Sequence, residues 1–302
     1  MLANIFYWVL NISILGTLTG FIMLAVRAIK RLPRRAVYAL WLIPFFRFIL
    51  PVSFASRLSL FQIASRTFSK TVAYETATDF SSLNSIKAAE SYYPIVYKTQ
   101  LLERVFIIGG TIWIAVATTL LILIITLYVK NIRDTAGAVQ ADGNVYKSGC
   151  VKSPVVVGIF RQRIILPEST DDATLPYILQ HEQTHASRHD NLWRMAAVVV
   201  CCVHWFNPFM VLFFKKFAAD MEQSCDEKAS KNYSENQRKE YCRAILACAQ
   251  HQAVLLSPFY GAEAKARIQN VLSYKRLTIA SIIFLLLFAA ALAATILTNP
   301  IA

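Results

Sequence analysis

Long apolar runs alternate with basic or polar segments along this chain of 302 residues. Residues 4–26, 105–129 and 277–297 are each apolar enough to be a helix crossing a bilayer, for which about 20 residues are needed. Residues 36–51 are apolar as well, with Pro44 and Arg47 inside the run, and read as a return through the membrane. Arg47 falls near the outer end, where a long side chain reaches the headgroups. The pattern predicts an α-helical membrane protein with four transmembrane helices and an α+β domain on the inner side. Residues 1–129 hold three helices and a polar outer loop at 52–102. Residues 130–276 form the inner domain, and 277–302 the fourth helix with a short outer tail.

A further apolar stretch, 192–217, is broken at Asn207-Pro208 into halves too short to span. It reads as a re-entrant or interfacial helical hairpin, with Trp193, Trp205, Phe206 and Phe209 suited to the membrane interface. Residues 155–160 and 164–166 are β-prone runs joined by Arg161-Gln162-Arg163, the pattern of a hairpin. As an edge, that hairpin offers backbone pairing to an extended substrate. Residues 134–143 read as a linker, and 220–252 as a solvent-facing helical region.

Charge fixes the orientation. Arg27, Lys30, Arg31, Arg34 and Arg35 follow the first run with no acid among them, Lys130 and Arg133 follow the third, and Lys275-Arg276 precede the last. Basic loops stay cytoplasmic, so both termini are expected outside a bacterial-type plasma membrane and the α+β domain inside. No basic region precedes the first run and no small-residue cleavage site follows it, which argues against a signal peptide. Only 16% of residues are charged, against about 25% in soluble domains, so the lipid bilayer is itself an expected partner. The net charge of +13 is spread beside apolar runs rather than along one reading helix, so direct nucleic-acid binding is not expected. The six cysteines avoid the outer loop and form no C-x-x-C pair, as in a reduced compartment.

The candidate chemistry lies between residues 178 and 226. Pro176 suits a first helical turn and Ser169–Asp172 with Thr174 supply capping groups, so a helix is predicted from about Leu175 to His189 or Asp190. On it, His181-Glu182-Gln183-Thr184-His185 puts two histidines at i and i+4, spaced to hold one Zn²⁺. Glu182 then stands beside the metal, where a general base takes a proton from activated water. A catalytic zinc usually has three protein ligands; Glu222, on a second helical stretch, is the candidate third. Asp226 follows one turn later on the same face, placed to accept the free ring N–H of a ligand histidine. His189 reads as a surface or capping residue, and His204 and His251 have no partner at ligand spacing. Tyr241, Arg243 and Arg267 are candidates for the oxyanion, with no pattern selecting among them.

Taken with Trp205-Phe206-Asn207-Pro208, with Asp220-Met221-Glu222-Gln223-Ser224-Cys225-Asp226 and with the strand residues Ser153–Phe160 and Ile164–Pro167, the chain resembles the BlaR/MecR antirepressors, integral-membrane zinc peptidases of the β-lactam sensor-transducer type. The resemblance implies a gluzincin-like cytoplasmic metalloprotease domain, with His181, His185 and Glu222 as zinc ligands, Glu182 as base and Asp226 behind the ligands. It implies a protein substrate such as a cytoplasmic transcriptional repressor, and self-cleavage near residues 257–261, where Pro258 lacks the amide N–H an edge strand uses. Members of that family carry a penicillin-binding domain after the fourth span, whereas this sequence stops at Ala302. The expectation is therefore that a separate sensor protein or the 52–102 loop supplies the signal, or that the sequence is a fragment of a longer protein. Two other readings remain open: a housekeeping quality-control zinc protease of the membrane, and a receptor-like protein without activity.

Overall fold

The computed structural model describes residues 2–29, 32–49, 100–256, 259–273 and 279–296. The outer-loop reading of 52–102 therefore lies almost wholly outside the described residues. So do Ser257 and Pro258 of the self-cleavage segment, the side chain of His251 and the tail beyond Ile296. The described chain runs α1 (Leu2–Arg27), α2 (Arg34–Leu40), α3 (Leu42–Ile49), α4 (Gln100–Asp134), β1 (Val139–Asp142), β2 (Val145–Ser148), β3 (Val155–Val157) and β4 (Arg163–Pro167). It continues through α5 (Leu175–Arg188), α6 (Asp190–Val203), α7 (Phe209–Ala229), α8 (Glu235–Leu256), α9 (Phe259–Ser273) and α10 (Ile279–Ile296).

Among the described residues, two helices are long and apolar enough to cross a membrane, Leu2–Arg27 and Arg104–Asp134 within α4. Along α4, Val105, Ile108, Ile112, Ile122 and Ile125 are exposed, an apolar surface that lipid solvates and water does not. The described part of the run at 36–51 is not the one continuous helix expected. It forms two short helices, ending at Ile49, that meet at Trp41, because Pro44 has no N–H to donate to Leu40 and its ring crowds that carbonyl. Arg47 does not reach outward as expected; it is 3% exposed, enclosed by protein.

The main core joins α1, α2, α3, α6 and α7 through Met23, Val37, Trp41, Phe45, Phe48, Val200, Met210, Phe213 and Phe217. Helices in lipid associate by close packing and hydrogen bonds rather than by exclusion from water, and α1 has the residues for it. Gly16 and Gly20, one turn apart, face the rings of Phe48 and Phe213, and a Cβ at either position would overlap those rings. At the end of α1, Arg27 and Trp41 both donate to the buried Asp220 carboxylate, at 2.8 and 2.9 Å. Glu227 accepts the backbone N–H groups of Arg34 and Arg35 at the start of α2, donors that a helix leaves unpaired. Three arginines of the basic loop thus meet acids of α7, since Arg35 also lies 3.6 Å from Glu227.

The sheet has the order β1-β2-β4-β3. β1 and β2 form an antiparallel hairpin around Gly143 at φ 51, β2 and β4 are parallel, and β3 and β4 are antiparallel. The predicted β3–β4 hairpin is present. The predicted linker, in contrast, contains strand β1 in its second half, which gains its pairing from β2 rather than from any apolar pattern of its own. Val145, Val156, Ile164 and Leu166 pack on Ile178 of α5 and Ala244 of α8, fixing the sheet against the helix that carries the two histidines.

Candidate metal centre

Helix α5 begins after Thr174, has Pro176 in its first turn and stops at His189, whose φ of 54° is left-handed. Thr174 does not cap it; its hydroxyl turns back to the Asp171 carbonyl. His189 is exposed, as expected, and its left-handed turn starts α6 directly at Asp190. The two apolar halves of 192–217 become α6 and the first part of α7, joined at Asn207-Pro208. Asn207 donates to Ser13 and Thr17 of α1, which anchors the bend and returns α7 past α5.

That return brings the three predicted ligands together. His181 Nε2 and His185 Nε2 are 3.1 Å apart, and each lies 3.5 Å from Glu222 Oε2. Bonds of about 2.0–2.1 Å to a tetrahedral zinc require donor atoms about 3.3–3.4 Å apart, and these three separations are close to that. Both remaining imidazole nitrogens are engaged. His185 Nδ1 meets Asp190 Oδ2 at 2.7 Å, while His181 Nδ1 lies 2.8 Å from the Tyr241 hydroxyl and 3.3 Å from Asp226 Oδ1. Carboxylates and hydroxyls behind a ligand histidine set its tautomer and ring angle. Glu182 is half-buried, and among the described residues its carboxylate forms no ion pair or hydrogen bond. The Cys225 thiol is fully buried beside the two imidazoles, with ligand-capable atoms all within 4.8 Å, and donates to the His181 carbonyl.

The electrostatics are set by a chain of charges with little access to water. Burial alone would lift the Asp226 carboxyl, but the Arg267 guanidinium overrides it and holds the group well below the usual carboxylate range. Burial likewise opposes ionisation of Glu222, and His185, His181 and Arg267 pull it well down. Burial disfavours charge on both imidazoles, yet Cys225 and Tyr241 around His181, and Glu222 and Cys225 around His185, raise them well above the ordinary value. Tyr241 is pushed up by burial and by Asp226. Carboxylates facing two imidazoles favour a cation between them, either a proton on the ring or a metal ion, with Arg267 and Arg194 balancing part of their charge.

The structure corrects one expectation and adds residues. Residues 220–229 are not solvent-facing: Asp220, Gln223, Ser224, Asp226 and Glu227 are buried, because α7 is enclosed by α2, α5 and α9. Arg194 of α6, one turn after Asp190, binds the Glu222 oxygen that faces away from the histidines, at 3.1 Å. Of the three oxyanion candidates, Arg243 pairs with Glu240 at the surface, whereas Tyr241 and Arg267 stand at the centre. His204 is buried against the Phe48 carbonyl, away from the site. The spacing of Asp190 from His185 is five residues, so only the left-handed His189 brings it back; a helix ending in a His-Asp pair was the available signal.

Two histidines and a glutamate are a donor set used by metal-dependent hydrolases. Comparison with known proteins agrees on the class. The family profile described as BlaR1 peptidase M56 matches residues 7–271, most of the chain, and the chain belongs to that family. It is similar to the methicillin resistance mecR1 protein of Staphylococcus aureus, 29% identical over 106 residues, and to the regulatory protein BlaR1 of Bacillus licheniformis, 32% identical over 105 residues. A third relative, the regulatory protein BlaR1 of Staphylococcus aureus, is 25% identical over 134 residues. The matches cover 34, 33 and 43% of this chain, and 18, 17 and 21% of those proteins, so the chain aligns with about a fifth of each relative's length.

Proposed function

We propose that the chain is a membrane-embedded zinc metalloendopeptidase with a gluzincin-like site. The observation that carries this reading is the triangle of His181 Nε2, His185 Nε2 and Glu222 Oε2 with sides of 3.1, 3.5 and 3.5 Å. His181, His185 and Glu222 would hold the metal, and a zinc ion there would supply an acidified water and polarise the scissile carbonyl. Glu182 takes the proton of the attacking water and passes it to the leaving amine. Asp190, Asp226 and Tyr241 hold the imidazoles with their Nε2 atoms inward. Arg194 binds Glu222 Oε1, and Oε2 faces the two histidines.

The substrate we propose is a cytoplasmic regulator, such as a transcriptional repressor, cut in response to a signal, with self-cleavage near 257–261 as a second event. The regulatory names of the relatives support this over housekeeping turnover. The proposed topology is four membrane helices, α1, α2–α3, α4 and α10, with termini outside, α6 and the first part of α7 as a re-entrant hairpin against them, and the sheet, α5, the rest of α7, α8 and α9 in the cytoplasm. The basic residues at the inner ends support it. Strand β3 lies at the sheet edge, where a substrate backbone can pair. The test is the purified full chain and its Glu182→Gln variant. Both should contain one zinc per chain, and only the native protein should cut substrate. Equal cleavage by the two would overturn the role of Glu182, and absence of zinc from both would overturn the metal reading.

A further inference from the structure

We infer that Arg267 is a positioning residue of the metal centre, so that α9 completes the site from outside the two helices that carry the ligands. This rests on the zinc reading above. Arg267 Nε and Nη2 each meet an oxygen of Asp226 at 2.8 Å, the two-pronged pairing that a guanidinium makes with a carboxylate. The same side chain brings Nη2 to 3.3 Å from His181 Nε2 and Nη1 to 3.4 Å from Glu222 Oε2. One planar group therefore touches two of the proposed ligands and the carboxylate behind them.

The consequences follow from what Asp226 does. Its Oδ1 accepts from Tyr241 at 2.8 Å and faces His181 Nδ1 at 3.3 Å, with no exposed surface on the side chain. With both oxygens gripped, the carboxylate has one orientation, and Tyr241 and the His181 ring inherit it. A buried carboxylate without that grip is costly to keep charged and free to rotate toward the histidines. Lysine supplies the charge but not the fork. Helix α9 is seated to deliver the group: Val271 packs with Tyr241 and Ile245, and Asn270 donates to Glu227 and to the Gln223 carbonyl of α7. The centre is thus assembled from α5, α7 and a helix that precedes the last apolar segment.

The test uses the full chain in detergent, loaded with Co²⁺ as a visible probe, and compares native protein with Arg267→Lys, Asp226→Asn and the double variant. Arg267→Lys keeps the charge constant, so any change reports geometry. The expected result is a roughly 10–100-fold loss of cobalt affinity, the range for outer partners of ligand histidines, and an altered ligand-field spectrum. The cobalt-free melting temperature should fall in each single variant, because one partner of a buried pair is lost, but a cooperative transition should remain. The double variant should bind no more weakly than the weaker single, because the two residues act as one unit. Native affinity and spectrum in Arg267→Lys, or additive losses, would overturn the inference. So would a collapse of the cobalt-free fold in both single variants, which would mark the pair as a structural brace. A His181→Ala control separates the two levels: if it binds cobalt like the native chain, the metal reading itself has failed.

Discussion

Asp190 holds His185 by a 2.7 Å contact between Oδ2 and Nδ1, and its other oxygen accepts the hydroxyl of Tyr38 from α2 at 3.0 Å. One carboxylate therefore joins an imidazole of the candidate centre to the membrane-side hairpin. Replacing Asp190 with Ala should weaken zinc binding about 10–100-fold, with Asp190→Asn in between because its amide oxygen still accepts from Nδ1. Chelator competition on the purified variants measures this, and unchanged affinity in Asp190→Ala would remove Asp190 from the site.

Zinc removal should abolish cleavage without unfolding the chain. The main core, from Met23 to Met221, is built from α1, α2, α3, α6 and α7 without using the ligand side chains, unlike a small zinc domain that folds only around its metal. Restoring zinc at 100 times its dissociation constant should stabilise the fold by about 2.7 kcal/mol. Circular dichroism melts before and after chelation test it, with recovery of cleavage as the control.

The contact of Gly20 with the Phe213 ring allows no side chain. Gly20→Val should destabilise the fold by about 1–3 kcal/mol, the usual cost of overpacking, and Phe213→Leu in the same chain should recover part of that loss. Thermal unfolding in detergent reads both.

Asp220→Asn should be destabilising while leaving the zinc content intact. The carboxylate is buried and answers Arg27 and Trp41 directly, with Arg34 at 3.5 Å. Removing one partner of a buried pair costs about 3–5 kcal/mol, and because the arginines reach water, about 2–3 kcal/mol is expected here. Metal analysis paired with a melt separates this from damage at the centre.

Much of this was legible before any coordinates. His181, Glu182 and His185 share a helix whose limits the sequence marks with Pro176 and the His189-Asp190 pair, and the break at Asn207-Pro208 is a local backbone property. Other features depend on distant partners. Strand β1 has no alternating pattern and exists because β2 lies beside it. Asp220 and Glu227 look like a solvated charge pattern, since the arginines that bury them are about 190 positions away. The division of 36–49 at Trp41 was hidden because apolar content continues across a proline that helices in lipid sometimes accommodate. Arg267 had no motif at all; only the folded chain sets it against Asp226.

Helix α7 presents Asp220 and Glu227 to the arginines on one side, and Glu222 and Asp226 to the histidines on another. Each residue advances a helix by about 100°, so these two sets keep their bearings only at a fixed phase. Adding or deleting a single position between Asp220 and Glu222 would leave every carboxylate chemically intact but turn Asp220 by about 100° from the other three, so that Arg27 and the histidines could not both be met. In this stretch the count of residues matters as much as their identity.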